Sequence, residues 1–248
     1  MQSDNPTAAI LVIGDEILSG RTQDSNSHHL AGVLTAIGID LREVRVVADD
    51  TAAIVAALKA LDRSLGGAWD IVFTSGGIGP THDDITADAV AAAFGVDLVI
   101  NDDARAVLAR HWADRGVEIT PNRLRMARIP VGATLIDNAV SAAPGFSIGG
   151  THVMAGVPSV FRAMVDWLVP RLPTGRPPVS ETIEVMRPES DVADELLEVA
   201  RAYPSLSLGS YPFRGPRGFG TNLVIRGLDG DAVARAVADL RRALGIAA

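Results

Sequence analysis

The hydrophobic positions in the first half of the chain alternate between short continuous runs and a wider, helical spacing. Residues 8–13 form an apolar run that predicts a buried strand, and the i, i+3, i+4 and i+7 spacing of an amphipathic helix follows at Leu30, Val33, Leu34 and Ile37. The alternation continues through a strand at residues 39–47, a helix at 54–65 and a strand at 70–74. This βαβαβα order predicts an α/β fold with a doubly wound, mostly parallel sheet and right-handed crossovers.

A proline-rich stretch divides the rest of the chain. Helical spacing at residues 104–115 and 160–169 and a short apolar run at 152–155 complete a first domain, predicted to span residues 1–170. The prolines between residues 169 and 180 are typical of a stiff linker. Residues 171–248 are predicted to form a small α+β domain of βαββα order, with strands at 181–186, 206–211 and 221–226 and helices at 191–203 and 231–244.

Composition and charge narrow the classes of function. The 248 residues carry 22 Lys and Arg against 30 Asp and Glu, which gives a formal net charge of −8. No nucleic-acid partner is therefore expected, although residues 120–128 form a basic patch and the turn at 213–220 suits either a phosphate contact or a plain hairpin. The sequence has no cysteine, which excludes disulfides and thiolate metal sites. Since no signal peptide or spanning apolar run is evident, we expect a cytoplasmic protein with no membrane partner.

The segment FTSGGIGPTHDDIT, residues 73–86, is the most informative part of the sequence, because it places a glycine loop between a predicted strand and a predicted helix. Glycines can bring backbone N–H groups close to a ligand, and the start of a helix adds unpaired N–H groups and a positive dipole end. The loop therefore predicts a phosphate site. Its candidate ligand-binding residues are Thr74, Ser75, Gly76, Gly77, Gly79, Pro80, Thr81 and Thr86.

Acids at the exit of this loop predict a cation. Asp83 and Asp84 would repel a bound phosphate unless a divalent cation such as Mg²⁺, Mn²⁺ or Co²⁺ lay between them. Asp49, at the end of the second strand, joins them as a catalytic and metal-binding candidate, since open α/β sheets bind ligands at this edge. The alternative is that Asp84 or Thr86 caps the next helix and that the glycines serve only a tight turn.

The loop after the first strand is predicted to lie beside the glycine loop, as the doubly wound fold requires. It contains the segment GDEILSG, residues 14–20, and its candidate ligand-binding residues are Gly14, Asp15, Glu16, Ser19, Gly20 and Asn26. Helix capping by Asp24 or Ser25 is the alternative interpretation of this loop. Capping by Asp50 or Thr51 is the corresponding alternative for the loop after the second strand.

Together, these segments resemble the N-terminal region of the competence/damage-inducible protein A (CinA) family. The resemblance rests on GDEILSG, on VADD at residues 47–50, on the glycine loop, on APGF at 143–146 and on AGVP at 155–158. That region is similar to the molybdopterin-binding domain of molybdenum-cofactor biosynthesis proteins and to the domain fused to FAD synthase in eukaryotes. The resemblance covers about the first 170 residues strongly and the remainder more loosely.

The resemblance implies a metal-dependent pyrophosphatase that hydrolyses ADP-ribose-like or FAD-like dinucleotides in a pocket of molybdopterin-binding type. It implies that Asp84 is the essential acid of a GGxGP…DxT motif, and that the pocket is also lined by Pro144, Gly145, Gly156 and Pro158. Ser141-Ala142 stands where the family has Gly-Thr, and Ala155 stands where it has Pro, both at the far wall of the pocket. The deamidase domain of full-length members has no counterpart here, so deamidation is not expected.

Other functions stay open on the sequence. The chain can be a molybdopterin-binding or adenylyl-transferring protein of molybdenum-cofactor biosynthesis, with molybdopterin as its ligand, or a non-catalytic nucleotide-binding module. In each case the expected partner is a small-molecule nucleotide or pterin phosphate. Because homo-oligomers are usual in the family, the resemblance also implies a homo-oligomer.

Overall fold

The structure, a computed structural model, describes residues 4–216 and 218–246. Residues 1–3 and Arg217 lie outside the described part. The expected lack of a signal peptide concerns residues 1–3, and Arg217 belongs to the turn at 213–220. The chain divides into two compact units, Asn5–Gly175 and the part from Arg176 onward. The division falls five residues after the predicted boundary because Val169 and Leu172 pack against the core of the first unit.

The first unit alternates strands and helices along the chain. Its strands are β1 (Thr7–Ile13), β2 (Asp40–Val47), β3 (Ile71–Ser75), β4 (Leu98–Ile100), β5 (Arg128–Pro130), β6 (Thr134–Ile136), β7 (Gly145–Ile148) and β8 (Thr151–Met154). Its helices are α1 (Asp15–Leu18), α2 (Asn26–Ala36), α3 (Thr51–Leu61), α4 (Thr86–Phe94), α5 (Asp102–Ala113), α6 (Pro121–Leu124) and α7 (Pro158–Leu168). The strand and helix order predicted for the first 94 residues is confirmed.

The main sheet of this unit has the strand order β2-β1-β3-β8-β7-β6. β1 pairs in parallel with both β2 and β3, and β3 pairs in parallel with β8. β7 and β6 run antiparallel at one edge. The predicted doubly wound, mostly parallel sheet is therefore confirmed, and the carboxyl ends of four neighbouring strands meet at one edge.

Alternate residues of β1 serve the two faces of the sheet. Leu11 and Ile13 pack with α3 and α4 in one core, which includes Ile54, Leu58 and Val90. Ile10 and Val12 pack with α2 and α7 in the other core, which includes Leu30, Leu34, Phe161 and Met164. Because both faces are covered by helices, β1 is buried on both sides and reads as a continuous apolar run.

The sequence analysis did not predict the short strands β4 to β7. β4 and β5 form an antiparallel pair outside the main sheet, and β6 and β7 extend its edge. Each has only three or four residues. Such strands offer too few positions for an alternating pattern to stand out against a loop.

The second unit contains β9 (Val179–Val185), α8 (Ala193–Ala202), β10 (Ser207–Gly215), β11 (Gly218–Gly227) and α9 (Gly230–Ala243). Its antiparallel sheet has the order β10-β11-β9, and Ile183, Leu223 and Ile225 pack against Val233 and Leu240 of α9. The predicted βαββα order is confirmed. None of the helices in the described part of the chain is long and apolar enough to cross a membrane.

Candidate functional site

The glycine loop begins at the carboxyl end of β3, where the chain passes close to neighbouring strands. The N–H of Gly76 donates to the carbonyl of Met154 (3.1 Å), and a Cβ at residue 76 would lie 2.1 Å from the carbonyl oxygen of Ile13. Gly77 has a φ of +68°, and a Cβ there would lie 2.2 Å from Oγ1 of Thr86. Both positions therefore require glycine, because the backbone there packs too closely against its neighbours to admit a Cβ.

The helix that follows the loop has no side-chain cap at its N-terminus. The hydroxyl of Thr86 donates instead to the carbonyl of Gly76 (3.0 Å). Oδ2 of Asp84 accepts from the N–H and the hydroxyl of Thr81, at 2.7 and 2.6 Å. The capping alternative for Asp84 and Thr86 is therefore wrong, because these side chains hold the loop itself. The positive end of α4 carries no side-chain acceptor of its own.

Two further loops meet the same edge of the sheet. The N–H of Gly14 donates to the carbonyl of Val47 (3.1 Å), and the N–H of Asp15 donates to Oδ2 of Asp49 (2.9 Å). Asp50 accepts from the N–H of Ala53 (2.8 Å) and caps α3. The capping alternative thus holds for Asp50, while Asp49 is left to face the loop after β1.

Asp49 lies among other acids. Burial is the largest cause that raises the pKa of its carboxyl group above the ordinary value, and the negative charges of Asp15, Glu16 and Asp83 raise it further. The hydrogen bond from Asp15 opposes this shift. The loops after β1, β2 and β3 therefore bring their acids close enough to disfavour one another's charge.

Asn26 links a fourth loop to this edge. Its Nδ2 donates to Oγ of Ser75 (2.9 Å) and to the carbonyl of Gly156 (2.8 Å), in the loop between β8 and α7. A Cβ at Gly156 would lie 3.3 Å from the Cα of Gly76, so the two loops are in contact. Oδ1 of Asn26 is buried without a hydrogen-bond partner. Asp24 accepts from the first N–H groups of α2, which bears out its interpretation as a capping residue.

A small cleft opens beside the glycine loop. One wall is the loop with the start of α4, and another contains Pro144 and Phe146. The third wall contains Arg125 and Arg128. Sequence reasoning found these arginines only as part of a basic patch, because nothing in their spacing showed that α6 and the turn after it lie against the glycine loop.

Several residues predicted to bind the ligand are enclosed by protein, which corrects their predicted role. A side chain must be exposed to contact a ligand, and four of the predicted side chains are almost fully buried. Thr74 and Thr86 are 0% exposed, Ser75 is 3% exposed and Asn26 is 5% exposed. Gly145 is also buried, and a Cβ there would lie 2.3 Å from the carbonyl of Val153. The exposed members of the predicted set are Asp15, Ser19, Gly20, Pro80, Thr81, Gly156 and Pro158.

The acids predicted to share a cation are not arranged as a cage. Within residues 4–216 and 218–246, no group of three His, Asp or Glu side chains is placed so that it could hold a metal ion. Asp83 lies close enough to raise the pKa of Asp49, whereas the carboxylate of Asp84 is turned toward Thr81. The predicted trio is thus corrected to an acidic group of Asp15, Glu16, Asp49 and Asp83, with Asp84 beside it in the cleft wall.

The sheet order and the glycine loop at its carboxyl edge define a doubly wound α/β domain with a loop-built crevice. Residues 9–174 match the family model described as "Probable molybdopterin binding domain", and residues 177–248 match "FAD synthase, middle domain". The chain belongs to the molybdopterin-binding-domain family, and its first unit is the N-terminal region of the CinA group within it.

Known proteins of similar sequence and structure agree with this assignment. Protein PAE0875 of Pyrobaculum aerophilum is 39% identical over 87% of this chain and 81% of its own length. A CinA-like protein of Anaeromyxobacter is 36% identical over 83% of this chain, which spans about half (51%) of that relative. The crystal structure of CinA from Thermoplasma acidophilum, a protein of unknown function, is 35% identical and has a TM-score of 0.61, covering 68% of this chain and 99% of that one.

Proposed function

We propose that the crevice binds a nucleotide diphosphate of ADP-ribose or FAD type, and that the protein hydrolyses its diphosphate linkage with the help of a divalent cation. The observation that supports this most strongly is the environment of Asp49. Its carboxyl group has a raised pKa because burial and three neighbouring acids disfavour its charge, and the glycine loop lies at the same sheet edge. Such a group of acids is unfavourable in the free protein and becomes favourable when a cation binds.

The glycine loop is the proposed phosphate site. Gly77 and Gly79 line the cleft without side chains of their own, and the uncapped N-terminus of α4 adds positive dipole potential. Asp84 and Thr81 fix the shape of the loop through paired hydrogen bonds. The loop is therefore held ready for an anion before the anion arrives.

The acids fit a cation that is shared with the ligand. Mg²⁺ is commonly held by one or two carboxylates together with substrate phosphates and water, so the lack of a three-carboxylate group in the described residues agrees with this mode of binding. Asp49 and Asp83 are the residues proposed to hold it, together with phosphate oxygens and water. When bound, such a cation neutralises diphosphate charge and lowers the pKa of a coordinated water.

A second candidate function is binding or adenylylation of molybdopterin. It is favoured by the family to which residues 9–174 belong, which is described by molybdopterin binding. The same loop would hold the phosphate of the pterin, and the cleft walls formed by Phe146, Pro144 and Met126 would contact its ring. A fluorescent pterin that co-purifies from cells able to make it would support this function over hydrolysis.

Purified protein incubated with ADP-ribose or FAD and Mg²⁺, Mn²⁺ or Co²⁺ tests the first proposal. We expect release of AMP, measured by chromatography. Asp84→Asn should lower the rate at least about tenfold, or about 1.4 kcal/mol of transition-state stabilisation, because the amide oxygen can still accept from Thr81 while the charge is lost.

Asp166→Asn is the matched control, since this aspartate is exposed on α7 in the opposite core layer, and its rate should equal that of the wild type. No AMP release with any of the three metals would reject hydrolysis. Binding of ADP-ribose without hydrolysis would instead assign the crevice to a non-catalytic nucleotide-binding module.

A further inference from the structure

One arginine in the cleft wall has hydrogen-bonding capacity that the protein does not use. Arg125 follows α6 and lies against the glycine loop, where its Nη2 donates to the backbone carbonyl of Asp84 at 3.4 Å. Its Nε is buried and has no hydrogen-bond partner. The same guanidinium lines the cleft together with Gly77 and Gly79.

The neighbouring arginines are engaged differently. Arg128, in the same wall, forms an ion pair with Asp88. Arg123 lies over the ring of Trp112, 4.3 Å from its centre, and donates to the carbonyl of Glu118 at 2.7 Å. Within residues 4–216 and 218–246, Arg125 takes part in none of the ion pairs. It is therefore the cation of the cleft whose charge is not matched by a carboxylate.

A buried N–H without an acceptor is unfavourable, and a guanidinium keeps its charge at any pH the folded protein tolerates. Arg125 cannot relieve this cost by losing a proton. One of the five N–H groups of the guanidinium donates weakly to the backbone carbonyl of Asp84. Arg125 also lines the opening of the cleft. An anion in the cleft would therefore supply the missing negative charge.

We propose that Arg125 determines specificity for phosphate by binding a phosphate oxygen of the ligand held on the glycine loop. The planar fork of a guanidinium matches two phosphate oxygens, and Gly77, Ile78 and Gly79 line the same cleft. The ligand class is thus a phosphate ester or diphosphate, and an uncharged nucleoside lacks the group that Arg125 recognises. This inference rests on the proposed function for the orientation of the ligand. The contact between Arg125 and a phosphate oxygen is proposed in addition to it.

Binding of inorganic pyrophosphate and of ADP-ribose, each with Mg²⁺, is measured by calorimetry for the wild type, Arg125→Gln and Arg125→Lys. We expect Arg125→Gln to weaken both ligands at least about tenfold, and Arg125→Lys to fall between it and the wild type because a point charge remains without the fork. Arg123→Gln, two residues before Arg125 and engaged with Trp112, is the matched control and should bind like the wild type. Thermal unfolding of each variant checks that the fold is retained.

The outcomes separate this inference from the proposed hydrolysis. Binding that depends on Arg125 in a protein that releases no AMP would reject hydrolysis and support the inference. AMP release with an unchanged KM in Arg125→Gln would support hydrolysis and overturn the inference. A wild type that binds neither pyrophosphate nor ADP-ribose, or an Arg125→Gln variant that binds both within twofold of the wild type, would also overturn it.

Discussion

At the amino end of the parallel strands, carboxylates are satisfied by the protein itself, whereas at the carboxyl end they face one another. Asp62 is fully buried before β3, and it accepts from Thr151 Oγ1 (2.6 Å), Ser64 Oγ (2.6 Å) and the N–H of Ser64 (2.7 Å). Asp70, also before β3, accepts from the N–H and the hydroxyl of Thr7, at 2.9 and 2.5 Å.

The pKa values of Asp70, at the amino end, and of Asp49, at the carboxyl end, shift in opposite directions. Hydrogen bonds from the side chain of Thr7 are the largest cause that lowers the pKa of Asp70, with Arg63 contributing as its ion-pair partner. Burial and like charges raise the pKa of Asp49. Donors thus outweigh burial at Asp70, whereas at Asp49 burial and like charges outweigh the hydrogen bond from Asp15, as expected at an edge where a ligand binds.

Loss of Asp62 is the change with the largest expected effect on stability. Asp62→Ala leaves the buried hydroxyl of Thr151 and the groups of Ser64 without their shared acceptor, so we expect the free energy of unfolding to fall by about 3 kcal/mol. Thermal unfolding by circular dichroism measures this, with a decrease in Tm of about 10 °C.

Asp166→Ala provides the control for this change, because Asp166 is exposed on α7 and should alter stability by no more than about 0.5 kcal/mol. Equal Tm values for the two variants would show that the stability of the fold does not depend on the buried carboxylate of Asp62. They would contradict the statement that carboxylates at the amino end stabilise the fold.

The pH dependence of stability sharpens the comparison at Asp70. Because the pKa of Asp70 is lowered in the folded protein, its ionised carboxylate contributes fully to stability above the ordinary pKa of about 3.9. This stability is lost as the pH falls through the folded pKa. Thr7→Val removes the hydroxyl donor and should cost about 1 kcal/mol at pH 7. The difference from the wild type should shrink as the pH falls below about 3.9.

Urea unfolding at a series of pH values between 7 and 3 measures this difference. The pKa of Asp49 shifts in the opposite direction. Because it is raised in the folded protein, protonation as the pH falls relieves an unfavourable charge there. A Thr7→Val penalty that stays constant down to pH 3 would show that the hydroxyl acts on packing and not on the charge of Asp70.

The parts of the fold that the sequence predicted are those with long, regular patterns. β1 and β3 are largely apolar strands, and the glycine loop has a composition that suits a close backbone approach. The short strands at the sheet edge lacked a pattern of sufficient length. The position of these loops at one edge followed from the topology, because the carboxyl ends of parallel strands must meet there.

The roles of individual site residues were less predictable, because they depend on where each side chain points. Asn26 is polar and follows the first loop, yet it is buried and links β3 to the loop after β8. Asp83 and Asp84 are adjacent in sequence and both accept a hydrogen bond from Thr81, but Asp83 also lies close enough to raise the pKa of Asp49. Arg125 gave no signal beyond a positive charge, since its importance arises from a contact between segments 40 residues apart.

The central claim is that the acids at the carboxyl end are kept for a charged ligand and not for the stability of the fold. Asp49→Asn tests it, with Asp50→Asn as the control, because asparagine keeps the hydrogen bond from Asp15 at one position and the helix cap at the other.

Calorimetric titration of both variants with ADP-ribose and Mg²⁺, combined with thermal unfolding, is the most direct measurement. We predict that Asp49→Asn binds at least about tenfold more weakly than the wild type, a difference of about 1.4 kcal/mol, while its Tm is equal or slightly higher; Asp50→Asn should bind normally. An Asp49→Asn protein that binds the ligand as the wild type does, or that loses stability as Asp62→Ala does, would contradict the account.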